Sequence, residues 1–334
     1  MRADTLVVTG IGVVSPWGND PAKLDLRTPA DADEDWFDVV SELGPRGYKY
    51  VPPGCRYLIA ATRRALRDAG DAVTRIPEPR RGMAVGTENG IAGLIDAMDE
   101  TVTTAGADRL SPATAPYFSV NTLAGRVAME HGIKGWNLTL TSPRAAGLQA
   151  LQAGSRAYAA GRCDLLLAGS TEAALPSHHS GHSASDAGAA VLVLEPRAAA
   201  AARGAALHGT CATATFFLAP LLASGTPAPD ALRTTAEALA RVTPARHRNI
   251  HPPVRLIAEP SPVATRLLSQ LRTLGLRTDF LPAGSGTLLP VLHIAHGLTA
   301  PGPPHIVATA SPDGTCALTA VHPQPPTDPT LETR

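Results

Sequence analysis

Short apolar strands alternate with helices through roughly the first 205 residues of this 334-residue chain, and that alternation leaves few architectures open. Thr5–Val14 (TLVVTGIGVV) is rich in β-branched residues and ends at Ser15-Pro16, so it reads as a buried strand with a glycine-bearing turn. Arg56–Ala69 puts Leu58, Ile59, Thr62, Ala65 and Leu66 on one helical face, with Gly70 where a C-cap belongs. Gly82–Gly86 reads as a strand, Ala92–Thr103 as a helix and Val120–Met129 as a helix behind a proline-rich loop. Asn137–Thr141 alternates like an edge strand, Ala145–Ala160 is an alanine-rich helix, and Asp164–Ala168 and Ala189–Leu194 are buried strands. Strands interleaved with helices in this way predict an α/β layered fold.

Beyond that point the pattern thins. Arg197–Ala206 reads as a helix ended by Gly204, and Val263–Leu274 as another helix. His305–Ala310 and Ala317–Val321 flank Asp313-Gly314, a hairpin turn signal. The tail from residue 323 is rich in Pro and Thr and is expected to be disordered. A weak echo links the halves: each opens on a strand and carries a central helix entered from a tight turn.

Composition narrows the function. Hydrophobic residues make up 44%, enough for a sizeable core. Lys+Arg and Asp+Glu both number 29 and aromatics are only 4%, so nucleic-acid binding is not expected. Cys55, Cys163, Cys211 and Cys316 have no metal-ligand spacing and read as packing residues. The N-terminus shows no basic, cleavable leader, and the apolar stretch around Ala212–Ala223 is too short to span a membrane, so a cytoplasmic location is expected. GIGVV is not a dinucleotide fingerprint. His178, His179 and His182 lie in a Ser/Gly-rich stretch whose only obvious carboxylate is Asp186, which reads as a solvated loop; no metal site or cofactor is expected. Ser170 in AGSTEA lacks a GxSxG frame.

Several stretches resemble the β-ketoacyl synthase family of the thiolase-like fold. They are VVTGIGVVSPWGN at the start, NLTLTSPRAAGLQAL (Asn137–Leu151), AGRCDLLLAGSTEA (Ala160–Ala173), SDAGAAVLVLEPRAAAAARGA (Ser185–Ala205) and TASPDGTCALTAV (Thr309–Val321). The resemblance implies an α/β, five-layered αβαβα fold of two similar halves, with the second half shortened and degenerate. The halves would divide as residues 1–196 and 197–322, followed by the tail 323–334.

The departures from the family carry as much information as the match. Condensing members hold a nucleophilic Cys three residues before the glycine that matches Gly147, and here that position is Arg144. A helix N-terminus activates a thiolate; a guanidinium stays protonated and cannot hold an acyl group. A cation there is unfavourable unless paired, so Arg144 is expected to reach an acidic group or a carbonyl. The family's two histidines are missing: Glu259 stands near one, and Gly284–Pro290 has none. Such losses resemble the chain-length factors of type II polyketide synthases, and Pro116–Gly135 resembles their tunnel-lining segment. The resemblance implies an obligate heterodimer with a catalytic ketosynthase and transient contact with a phosphopantetheinylated acyl carrier protein. It implies a chain-length gate at Thr114, Pro116, Tyr117 and Phe118, and a dimer interface at Asn137, Leu138, Thr139, Leu140 and Thr141. Compression between Asn19 and Arg56 and between Ala173 and Ser185 suggests a divergent subtype, such as one serving a reducing, polyene-forming system. Two other readings stay open: a malonyl-carrier-protein decarboxylase, and a hydrolase or acyltransferase on the same fold.

Overall fold

The computed structural model describes residues 5–27, 36–220, 230–243 and 252–324. The first half runs β1 (Leu6–Val14), α1 (Val39–Leu43), α2 (Pro53–Asp68), β2 (Arg81–Gly86), α3 (Ala92–Ala105), α4 (Thr122–His131), β3 (Asn137–Leu140), α5 (Ala146–Ala159), β4 (Leu165–Glu172) and β5 (Gly188–Pro196). A short α6 (Arg197–Ala202) leads across to the second half. That half runs β6 (Gly209–Phe217), α7 (Ala231–Val242), β7 (Val254–Ala258), α8 (Pro262–Thr273), β8 (Thr278–Pro282), α9 (Leu288–Thr299), β9 (His305–Ala310) and β10 (Thr315–Pro323).

The strand order, β3-β2-β4-β5-β1-β6-β10-β9-β7-β8, reads as the same five-strand order twice, mirrored about the β1–β6 junction. In the first half β2 pairs parallel with β3 and β4, while β5 pairs antiparallel with β4 and β1. The second half repeats this: β7 is parallel to β8 and β9, and β10 is antiparallel to β9 and β6. At the junction β1 and β6 meet only at Val8 and Gly209.

Three hydrophobic clusters separate the layers. One packs α2 and α4 on the outer face of the first half, through Leu58, Ile59, Leu123 and Val127. The second holds α5 and α9 between the two sheets, through Leu148, Leu151, Leu292 and Ile294. The third packs α7 and α8 outside the second half, through Ala238, Leu267 and Leu271. The order is therefore helix, sheet, helix, sheet, helix, the five-layered thiolase-like fold. Ten residues of α9 are buried, as its place in the middle layer demands.

The glycines of β1 do not form a turn, contrary to the sequence reading. Gly10 and Gly12 lie within the strand, where a Cβ would fall 2.3 Å from the Ala65 carbonyl oxygen and 1.9 Å from that of Ala61. They let α2 press against the sheet. Other boundaries shift slightly. α6 stops at Ala202, and β10 runs through Pro323, with Gln324 N–H donating to the His208 carbonyl. The remainder of the expected tail lies outside the described residues. No helix among the described residues is long and apolar enough to cross a membrane.

Candidate functional site

Arg144 sits where the two central helices converge. It lies two residues before α5, at φ 57°, and is the only non-glycine residue with positive φ among the described residues. Ala145 N–H donates to the Pro143 carbonyl at 2.5 Å, closing a three-residue turn around it. This is the strained γ-turn geometry, disfavoured for a side chain with a Cβ by about 1–2 kcal/mol. Packing enforces it. At Gly86, which ends β2, a Cβ would lie 2.2 Å from the Ala146 backbone, so the start of α5 is jammed against that strand.

The Arg144 side chain is 1% exposed. Nη2 lies 3.5 Å from Glu259 Oε1 and Nη1 lies 3.8 Å from Asp186 Oδ2. Glu259 follows β7, so the expectation that Arg144 finds an acidic partner holds within the chain itself. Nε and Nη1 have no hydrogen-bond partner. Pairing is thus largely coulombic, in surroundings where the loss of one partner is costly.

Three further carboxylates, which the sequence reading did not bring to the site, complete it. Glu88 Oε2 accepts from Arg144 N–H (3.3 Å) and Gly286 N–H (3.0 Å), tying the entries of both central helices to one side chain. Asp186 Oδ2 accepts from Leu288 and Leu289 N–H at 3.0 Å each, and so caps α9. Burial pushes the Asp186 carboxyl up, against the pull of Arg144. Glu172 is fully buried; its oxygens accept from the backbone N–H of Glu88 (2.7 Å), Asn89 (2.6 Å) and Thr287 (2.9 Å).

Burial nevertheless pushes Glu172 up to about 8, helped by the neighbouring Asp186. Glu172 Oε1 to Thr287 Oγ1 (3.0 Å), Thr287 Oγ1 to Ser170 Oγ (2.6 Å) and Ser170 Oγ to the Gly86 carbonyl (3.0 Å) form three links. Thr287 Oγ1 donates to Glu172, and Ser170 Oγ donates to the Gly86 carbonyl. Ser170 is thereby bound up in a structural chain rather than poised beside a base.

Among the described residues, no thiol stands in this arrangement. Cys55, Cys163 and Cys316 are buried elsewhere, and burial pushes the thiols of Cys55, Cys211 and Cys316 up to about 12. Among the described residues, no histidine bonds to Arg144 or to these carboxylates.

The expected gate residues share one turn but not one direction. Ala115–Phe118 is a 3-10 helix. Tyr117 turns inward and lines a cavity of about 420 Å³ with Val51, Ala113 and Arg126, whereas Phe118 is 64% exposed. Thr114 and Pro116 act locally: Thr114 Oγ1 donates to the Ser111 carbonyl, and the Pro116 carbonyl accepts from Thr122 Oγ1. Asn137–Leu140 is an edge strand, half-exposed along its length. Beside it, residues 91–121 contain no buried residue at all, although α3 carries Leu94, Ile95, Met98 and Val102.

Comparison with known proteins follows the same lines. The family model for the β-ketoacyl synthase N-terminal domain matches residues 21–213. The 3-oxoacyl-[acyl-carrier-protein] synthase 2 of Rhizobium meliloti (strain 1021) is 29% identical over 196 residues, covering 50% of this chain and 46% of that one. The chain thus spans about half the length of the curated relatives it matches. Solved structures cover much more. The ishigamide ketosynthase/chain length factor aligns at TM-score 0.73 and 22% identity, over 95% of this chain and 98% of that one. A type II polyketide synthase acyl-carrier protein in complex with its ketosynthase bound to the hexaketide aligns at TM-score 0.72 and 20% identity, over 96% and 99%. At these identities the likeness is one of fold.

Proposed function

The chain belongs to the β-ketoacyl synthase family, and from that premise we propose that it is the non-catalytic, chain-length-factor-type partner of a catalytic ketosynthase. One observation carries the reading: the strained turn at the head of α5 presents a guanidinium that is 1% exposed and paired to Glu259 and Asp186. Claisen condensation needs a thiolate there to hold the acyl chain and imidazoles to manage charge and protons. Arg144 offers no lone pair, and Glu259 and Asp186 already balance its charge. The partner would supply the Cys and both histidines.

The surface supports the partnership. Residues 91–121 contain no fully buried residue, and β3 beside them is an edge strand, open to pairing on its outer side. A ketosynthase seated there would cover α3, β3 and Phe118, with Tyr117 and Phe118 at the closed end of a shared acyl tunnel. Growing chains would arrive on a phosphopantetheinylated acyl carrier protein.

Co-expression with the ketosynthase encoded nearest to this chain, followed by native mass spectrometry and an elongation assay on carrier-protein substrates, tests the reading. A one-to-one complex, active only when both chains are present, is the expected result. A ketosynthase that elongates fully alone and forms no complex overturns it. Arg144→Cys is expected to stay unacylated by acyl thioesters in intact-mass analysis, because neither histidine is restored.

A further inference from the structure

Asp96 from α3 meets His178 and His179 from the loop that joins β4 to β5, a pairing that nothing in the sequence announces. Asp96 Oδ1 lies 3.3 Å from His178 Nε2 and 4.0 Å from His179 Nε2. One ligand atom from each residue lies within 4.8 Å of the other two. The imidazole centroids are 4.6 Å apart and the rings are inclined at 44°, so they are not stacked face to face. We propose that Asp96, His178 and His179 form a binding site for one divalent transition-metal ion, with zinc the best fit.

Zinc bonds to imidazole nitrogen and carboxylate oxygen at about 2.0–2.2 Å, which sets tetrahedral ligand atoms about 3.3–3.5 Å apart. The Asp96–His178 separation already meets that spacing. The wider ones close by small rotations of side chains that are partly exposed and free to turn. Two imidazoles and one carboxylate suit Zn²⁺ or Co²⁺; Mg²⁺ and Ca²⁺ prefer shells made of oxygen. Water would hold the fourth position.

A proton-mediated ion pair explains the cluster less well. Both Nε2 atoms face the same carboxylate oxygen, and the second lies 4.0 Å away, beyond a hydrogen bond. A single dication satisfies all three groups. It would also do mechanical work, because α3 buries no residue of its own and Asp96 lies in its first half. A metal there would clamp α3 to the β4–β5 loop. The site uses only this chain's residues and does not depend on the proposed partnership.

The full chain, stripped with a chelator and dialysed, is titrated with Zn²⁺ by calorimetry and with Co²⁺ by visible absorption, alone and after co-purification with any partner. One saturable equivalent, with the intense d–d bands of four-coordinate cobalt, is expected. Asp96→Asn, His178→Ala and His179→Ala are each expected to weaken binding about tenfold or more. His182→Ala is expected to leave it unchanged, since its ring is engaged with the Leu175 carbonyl. Amide exchange in α3 should slow on adding Zn²⁺ to the native chain but not to the triple variant. Unchanged metal-free melting temperatures would show that the variants fold. Absence of saturable binding, or equal binding by the triple variant, overturns the proposal.

Discussion

The two halves enter their central helices in the same way but fill the critical position differently. Arg144 stands two residues before α5 at φ 57°, and Gly286 stands two residues before α9 at φ 124°. Both amides donate to the same carboxylate oxygen, Glu88 Oε2. In the second half the conformation is free of strain because glycine has no Cβ; one added there would fall 2.6 Å from the Asp186 Cβ. In the first half an arginine carries the strain. A side chain kept at such a position is kept for what it contacts, and Arg144 contacts Glu259 and Asp186. Under the proposed function, a structural group stands here where condensing members hold a reactive one.

The connections differ as well. β7 passes to α8 through Glu259–Ser261, whereas β2 passes to α4 through residues 87–121, which include α3. One half makes this connection in three residues, and the other carries a segment, 91–121, that contains no fully buried residue. Stability should therefore reside in the layers and the central site, and association in that excursion.

Replacing Arg144 tests the first part of this contrast most severely. Arg144→Ala leaves Asp186 and Glu259 without their cation and should cost about 3–5 kcal/mol in urea unfolding. Arg144→Gly should cost about 1 kcal/mol less, because it relieves the positive φ. Equal stability of Arg144→Ala and the native chain would show that the guanidinium is not the counterion.

Glu172 gives a subtler test. Its folded pKa, about 8, lies above the ordinary 4.5, so the folded chain keeps a proton that the unfolded chain releases. The stabilisation is complete below about pH 4.5 and is lost as pH rises through about 8, with a limiting slope of about 1.4 kcal/mol per pH unit. Glu172→Gln should flatten unfolding free energy between pH 5 and 8, whatever its absolute stability. An unchanged slope would assign the pH dependence elsewhere.

The second half carries the opposite dependence. His293 on α9 is buried, and burial together with Arg255 and His296 pulls its pKa down from 6.5 to about 3. The folded chain holds it neutral, so its contribution is present above about pH 6.5 and fades as pH falls. His293→Phe should reduce acid sensitivity between pH 6.5 and 4 and leave the slope above pH 7 alone. The window, from about 3 to 6.5, is as wide as that of Glu172, from 4.5 to about 8, and opposite in sign.

How much of this the sequence shows depends on periodicity. β1, β4 and β5 are rich in Val, Leu and Ile, and an α/β layered fold follows from them, whereas the five layers follow from the family resemblance. β6 (GTCATATFF) is rich in Ala and Thr, β8 (TDFLP) carries an Asp and a Pro, and α9 (LLPVLHIAHGLT) is apolar on all sides. A helix buried all round has no amphipathic period to read, and its Pro290 looks like a breaker though it sits harmlessly in the first turn. Arg144 and Glu259 were legible as replacements at positions where the family's chemistry sits. Glu88, Glu172 and Asp186 were not, because they lie at or just beyond the ends of different strands, and only the fold gathers them at the entries of the two central helices.

Phe118 makes the finest cut between folding and association. Its ring is 64% exposed, so Phe118→Ala should change the stability of the isolated chain by no more than about 0.5 kcal/mol. An aromatic ring sealed at the centre of an interface typically contributes about 2 kcal/mol or more. The same substitution should therefore weaken the ketosynthase complex about thirtyfold by native titration, and let the surviving complex make longer products. Tyr117→Ala opens the cavity beside Val51 and Arg126, and should lower the melting temperature as well. If Phe118→Ala destabilises the lone chain as much as Tyr117→Ala does, the excursion is part of the folding core, and the division of labour between the halves fails. If it leaves both stability and complex untouched, the partner sits elsewhere and β3 alone must carry the contact.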